Sequence, residues 1–173
     1  MSQYKDDKME YIESDIQKIQ MKTGMYISYV GRKGALHLAK EVIQNAIDEA
    51  ANPKSPAKNI EVTLDVADGS LKVEDDGRGI PETAEIPMTI LCTKLNSGSK
   101  FTREQGGASS GENGVGLTAT NALSSMFRWE SHRDGTCHSI EFESGNLVKD
   151  TTKKTAKKHG CVLKFIPSTK YLG

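Results

Sequence analysis

The chain has 173 residues, 36% of them apolar and 27% charged, enough for one domain with a real core and too ordinary for disorder throughout. Lysine plus arginine equals aspartate plus glutamate at 23 each, so no global field argues for nucleic acid or an anionic membrane as partner. Cys92, Cys137 and Cys161 are far apart with no CxxC pair, and no stretch approaches the ~18 apolar residues of a spanning helix; packing thiols in a soluble, cytoplasmic protein are expected.

Met9, Ile12, Ile16 and Ile19 recur at spacings of three, four and three, predicting an amphipathic helix over 7–21 that ends near Gly24. Residues 1–24 are read as an N-terminal arm and helix, and 25–173 as the main domain. Residues 35–51 (ALHLAKEVIQNAIDEAA) carry the strongest helix signal, with Leu36, Ala39, Val42, Ile43, Ala46 and Ile47 as its apolar stripe and NPKSP as the breaker. NIEVTLDV and SLKVED alternate around Asp68-Gly69, a hairpin signature. Pro87 opens a short helix over 87–95, and 96–113 is a long loop rich in Gly and Ser. Helix returns from Leu117. MFRWESHR and TCHSIEFE flank Asp134-Gly135 as a second hairpin, VKDTTKKTAKKHG is a lysine-rich run, and GCVLKFIP reads as a last strand. The order points to an α+β fold with helices on one face of a mixed, largely antiparallel sheet.

Three stretches carry chemistry. In SSGENGVGLTATNALS (109–124), Gly111, Gly114 and Gly116 precede a helix start; glycines let backbone N–H groups converge on an anion, although a plain surface loop has the same composition. On the helix at 35–51, Glu41, Asn45, Asp48 and Glu49 form a polar stripe beside the apolar one. Such a stripe is usually only solvated. Asn45, however, is a poor helix former in mid-helix, and its carbonyl with the carboxylate of Glu41 one turn earlier offers oxygens to a hard cation and a water. In VEDDGRGIP (73–81), Asp75 leaves an apolar strand and can accept from an exocyclic amine. Gly79 admits a flat ring near the backbone, and Arg78 can pair with Glu49.

EVIQNAIDEA, VEDDGRGIP and SGENGVGLTATNALS, in this order and with GMYIS, TKLNSGSKF, HRDG and LKFIPS, resemble the ATP-binding domain of type IIA DNA topoisomerases. The likeness runs from about residue 12 to 168 and is similar to the gyrase B and topoisomerase IV ATPase subunits and phage enzymes. It implies a Bergerat-type two-layer α/β sandwich that binds ATP and Mg²⁺. It further implies Glu41 as general base, Asn45 as Mg²⁺ ligand and Asp75 as acceptor for the adenine amine. Gly79, Ile80 and Pro81 would line the base pocket, and the loop Gly111, Asn113, Gly114, Val115, Gly116 would wrap the triphosphate under a lid carrying Lys100. The resemblance also implies ATP-driven homodimer closure with an N-terminal arm containing Tyr4 and Tyr11. DNA and a cleavage subunit or domain would be engaged by a longer protein, this chain lacking the transducer and cleavage domains and remaining largely monomeric.

Three positions depart from the family pattern. Ser110 to Gly114 replace a Gly-Gly-Leu-His-Gly pattern, Cys161 stands where the family usually has a Thr that helps a water at the adenine, and Lys22-Thr23 replaces Arg-Pro. The same fold serves chaperone and mismatch-repair ATPases, an alternative within the superfamily. A non-catalytic nucleic-acid module built on the late lysines lacks interleaved aromatics. His37, His132, His138 and His159 show no metal spacing, and packing or surface roles are expected of them.

Overall fold

A computed structural model describes residues 14–81, 84, 86–97 and 115–173. Helix α1 (Asp15–Met21) begins at Ser14, whose hydroxyl accepts from the Gln17 amide while the Gln17 side chain accepts from the Ser14 amide, a reciprocal capping box. Residues 7–13 of the expected helix lie outside the described residues. Gly24 falls within a second short helix, α2 (Thr23–Tyr26), so the expected boundary at residue 24 lies inside an element.

Helix α3 (Gly31–Ala51) starts four residues earlier than the apolar pattern indicates, and its buried row is Gly34, Leu38, Val42 and Ala46. This row at i, i+4 steps is the one that meets the sheet. Two members of the expected stripe, Leu36 and Ile47, are instead 64% and 45% exposed. Val42 and Ala46 belong to both the expected and the observed rows, whereas Leu38 is absent from the expected one. Its side chain is fully buried.

Strands β1 (Ile60–Asp65) and β2 (Ser70–Asp75) form the first hairpin, α4 (Met88–Leu91) follows Pro87, and α5 (Gly116–Ala122) follows the glycine loop. Strands β3 (Ser124–Arg133) and β4 (Thr136–Glu143) form the second hairpin, followed by β5 (Asn146–Lys154), β6 (Gly160–Pro167) and a terminal turn of helix, α6 (Thr169–Leu172). The described strands make one sheet in the order β1-β2-β6-β3-β4-β5, with every pairing antiparallel. The fold is thus α+β, at the antiparallel limit of the sheet expected.

The lysine-rich run hides β5. Its residues are exposed along the whole strand, so no apolar alternation marks it, and lysines at a sheet edge discourage further pairing. The inner face of the sheet, carrying Phe127, Trp129, Phe142, Leu163 and Phe165, packs beneath α1, α3 and α5 as one core. Phe127 and Phe142 meet edge to face at 6.1 Å between centroids. Thr118 and Asn121 anchor α5 by donating to the carbonyls of Lys94 (3.0 Å) and Cys92 (2.9 Å). These bonds fix α5 against the turn that follows α4.

Candidate functional site

Asp75 ends β2 on the inner face of the sheet, opposite Cys161, which in turn stands opposite Ser131 of β3. Asp75 is 9% exposed, and its carboxylate accepts from the Gly77 amide at 2.8 Å. Burial holds this carboxyl above the usual carboxylate range against the Gly77 hydrogen bond, and the nearby Glu49 charge adds to the rise. An acid in this setting gains from any neutral donor that approaches it. Burial also pushes the Cys161 thiol up to about 12, with the Asp75 charge adding, so Cys161 is an un-ionised thiol beside Asp75.

The turn after Asp75 is tied to α3. Glu49 accepts from the Arg78 amide at 2.8 Å, from its Nε at 2.9 Å and from Nη2 at 2.8 Å, a two-pronged ion pair with a backbone bond added. Burial raises the Glu49 carboxyl, but these bonds from Arg78 outweigh it and leave it below its ordinary value. Gly77 is required here because a Cβ would meet Glu49 Cγ at 2.5 Å and Asp75 Oδ1 at 2.7 Å. Gly79 is required twice over: its φ is +65°, and a Cβ would overlap the His132 carbonyl oxygen. Beyond it, the Ile80 amide donates to Ser131 Oγ at 2.6 Å while that hydroxyl donates to the Ile80 carbonyl at 3.2 Å. Arg133 donates to the Gly79 carbonyl at 3.3 Å. A cleft of about 360 Å³ opens beside this turn, lined by Lys54, Arg78, Pro81 and Arg133.

Glu41 lies two turns before Glu49 on α3. Its Oε1 is 3.7 Å from His37 Nε2, and its other oxygen faces Gly116 so closely that a Cβ there would overlap it. Asn45, one turn on, is exposed. An exposed amide oxygen with a carboxylate one helical turn away is an all-oxygen set. It suits Mg²⁺, which takes few protein ligands and keeps waters.

Residues 32–162 match the histidine kinase-, DNA gyrase B-, and HSP90-like ATPase family. The chain belongs to this family. Among relatives, it is 34% identical to the DNA gyrase B protein of Thermotoga maritima over 173 residues, covering 96% of this chain and 27% of that one. It is 35% identical to the DNA topoisomerase 4 B protein of Staphylococcus aureus (strain Mu50) over 167 residues, covering 90% and 24%. Among solved structures, the 43K ATPase domain of Thermus thermophilus gyrase B, in complex with an aminocoumarin, superposes with a TM-score of 0.70 at 30% identity, over 91% of this chain and 40% of that chain. The chain spans about a quarter of the length of these curated relatives.

Of the residues singled out from sequence in this family member, Glu49, Asp75, Arg78, Gly79, Ile80, Pro81 and Cys161 gather around one turn, with Glu41, Val115 and Gly116 at the other end of the α3 face. Lys100, Gly111, Asn113 and Gly114 lie outside the described residues. Ser131 joins the site without a sequence expectation, and His37, for which a packing or surface role is expected, lies beside Glu41. The first is a serine within a strand, whose register with Cys161 is invisible locally; the second has a usable signal, its i, i+4 spacing from Glu41.

Proposed function

We propose that the chain binds and hydrolyses ATP with Mg²⁺ as the N-terminal ATPase module of a type II DNA topoisomerase of the gyrase B and topoisomerase IV kind. Two of its relatives by sequence carry those names, and one solved neighbour is a gyrase B ATPase domain. The single observation that carries the reading is the buried Asp75 carboxylate, braced by Gly77 and set under a glycine turn that Glu49 ties to α3.

Asp75 accepts from the adenine amine, with Gly79 letting the turn close onto β3 at His132 and Ile80 and Pro81 flanking the ring. Arg78 remains on Glu49, so the turn is organised before nucleotide arrives. Glu41 takes the proton of the water that attacks the γ-phosphorus as the bond to the ADP oxygen breaks, and Gly116 leaves room for that carboxylate. Mg²⁺ held by Asn45 would neutralise phosphate charge. The glycine loop 111–116 and Lys100 are assigned to the phosphates on the family pattern. In the longer protein, nucleotide would close a homodimer around DNA beside a cleavage subunit or domain, in the cytoplasm. No described helix is long and apolar enough to cross a membrane.

Calorimetric titration of the chain with ATP and GTP tests the site. ATP is expected to bind, GTP and the Asp75→Ala protein with ATP are not, since the substitution deletes a charge-assisted hydrogen bond of about 1.5–3 kcal/mol. Equal binding of ATP and GTP would refute the assignment of Asp75. Nucleotide-dependent strand passage on plasmid DNA by the longer protein tests the topoisomerase reading.

A further inference from the structure

The face of the sheet away from α3 carries a second constellation. Side chains alternate along β3, so with Trp129 in the core and Ser131 bonded to Ile80 on the inner face, Glu130 and His132 point to the other side. Cys137 stands directly opposite His132 across the β3–β4 pair, on that same side. His132 Nε2 lies 3.8 Å from Cys137 Sγ and 3.8 Å from Glu130 Oε2, and the three ligand atoms are all within 4.8 Å of one another. His132 and Cys137 are 9% and 1% exposed.

Each side chain is held so that one donor atom faces the centre. Thr155 Oγ1 sits 3.3 Å from His132 Nδ1, which fixes the ring and leaves Nε2 turned inward. Arg128 takes Glu130 Oε1 at 2.5 Å, leaving Oε2 for His132. The segment bearing Thr155 is itself fastened, its amide donating to the Gly135 carbonyl at 2.9 Å and Lys157 bonding Glu74 at 2.6 Å.

We propose that Glu130, His132 and Cys137 form a site for one zinc-class divalent ion, with a fourth coordination position open. Thiolate, imidazole and carboxylate together are the borderline-soft set that Zn²⁺ prefers and that hard Mg²⁺ does not. Zinc bonds of about 2.0–2.3 Å place tetrahedral ligands about 3.4–3.6 Å apart, so the observed separations to His132 need only a few tenths of an ångström of closure. The thiolate and carboxylate bring two negative charges to the ion's two positive ones; Arg128 shares Glu130, Lys157 is paired with Glu74, and Lys153 stands opposite Cys137 across the β4–β5 pair. Loading releases the Cys137 proton. The site lies across the sheet from Asp75 and is independent of the ATPase reading.

The test is titration of the metal-free chain, without nucleotide, first with Co²⁺ as spectroscopic probe and then with Zn²⁺ against a chromophoric chelator. One ion per chain and a thiolate-to-cobalt charge-transfer band are expected, both insensitive to millimolar Mg²⁺. Cys137→Ser should abolish the band and weaken Zn²⁺ by at least ~100-fold, and Glu130→Gln, a partly exposed position, should weaken it by ~10-fold or more with unchanged circular dichroism. Cys92→Ser and Cys161→Ser should leave both intact. A band that survives Cys137→Ser, or Zn²⁺ affinity unaltered in Glu130→Gln, would overturn the site, as would no stoichiometric binding by the parent. If Cys137→Ser fails to fold, the Glu130→Gln result decides.

Discussion

Gly116→Ala places one methyl group at the first residue of α5, where it would overlap Glu41 Oε2 and lie 3.0 Å from Glu41 Cδ. The nearest obstacle is the far end of a flexible side chain, so the carboxylate moves, and Glu41 Cβ at 3.1 Å requires only a few tenths of an ångström of give between the helices. Forcing Glu41 off its rotamer costs ~0.5–1.5 kcal/mol, and replacing glycine in a helix recovers up to ~1 kcal/mol, so stability should change by less than about 1 kcal/mol. Catalysis is not buffered in this way. A general base supplies ~10²–10⁴ in rate, and displacing it by about an ångström forfeits roughly 10². The assay is single-turnover γ-phosphate release alongside urea unfolding and ATP titration. Hydrolysis should fall by ~10²-fold with affinity within a few-fold, and the same substitution in a Glu41→Gln background should add almost nothing, because both changes remove one interaction. A rate within about threefold of the parent, or losses that multiply in the double variant, would refute the contact between Gly116 and Glu41 as the setting of the base.

Gly79→Ala is expected to destabilise the chain by ~1–3 kcal/mol and to weaken ATP binding in step, because φ is +65° and the new Cβ meets the His132 backbone carbonyl, which cannot rotate away; denaturant midpoints and calorimetry check it. Asp75→Asn should keep the Gly77 bond, raise thermal stability and lose ATP. The Asp75 carboxyl is raised by burial in the fold, so the penalty for its charge grows as pH rises through its folded value, and the gain over the parent should be larger at pH 7 than at pH 4. Asp76 behaves in the opposite sense: the Asn59 amide and side chain and the Lys58 amide hold its carboxyl down to about 2. Its stabilisation is present above the ordinary aspartate value near 3.8 and lost as pH falls towards 2, so Asp76→Ala should destabilise at pH 6 and progressively less below pH 4. Unfolding curves across that range decide it.

Local pattern was enough for much of this protein. Asp68-Gly69 and Asp134-Gly135 mark two hairpins because their turn backbone favours glycine, and Gly69 and Gly135 do adopt positive φ. The α3 helix, the Asp75 turn and the pairing of Glu49 with Arg78 were legible because each rests on periodicity or on side-chain chemistry that the residue types announce. Where pattern failed, the missing information was long-range. Strand β5 has no buried side to alternate with, so only its pairing along β4 makes it a strand. Leu38 rather than Leu36 faces the core because the sheet selects one row of α3, a choice the helix cannot make alone. Cys161, Ser131 and Asp75 meet across three strands whose register no segment specifies, and Gly116 faces Glu41 only through the tertiary packing of α5 beside α3. Likewise His132 and Cys137, unremarkable by spacing, become neighbours when the β3–β4 hairpin closes, because an antiparallel ladder converts sequence separation into contact on one face.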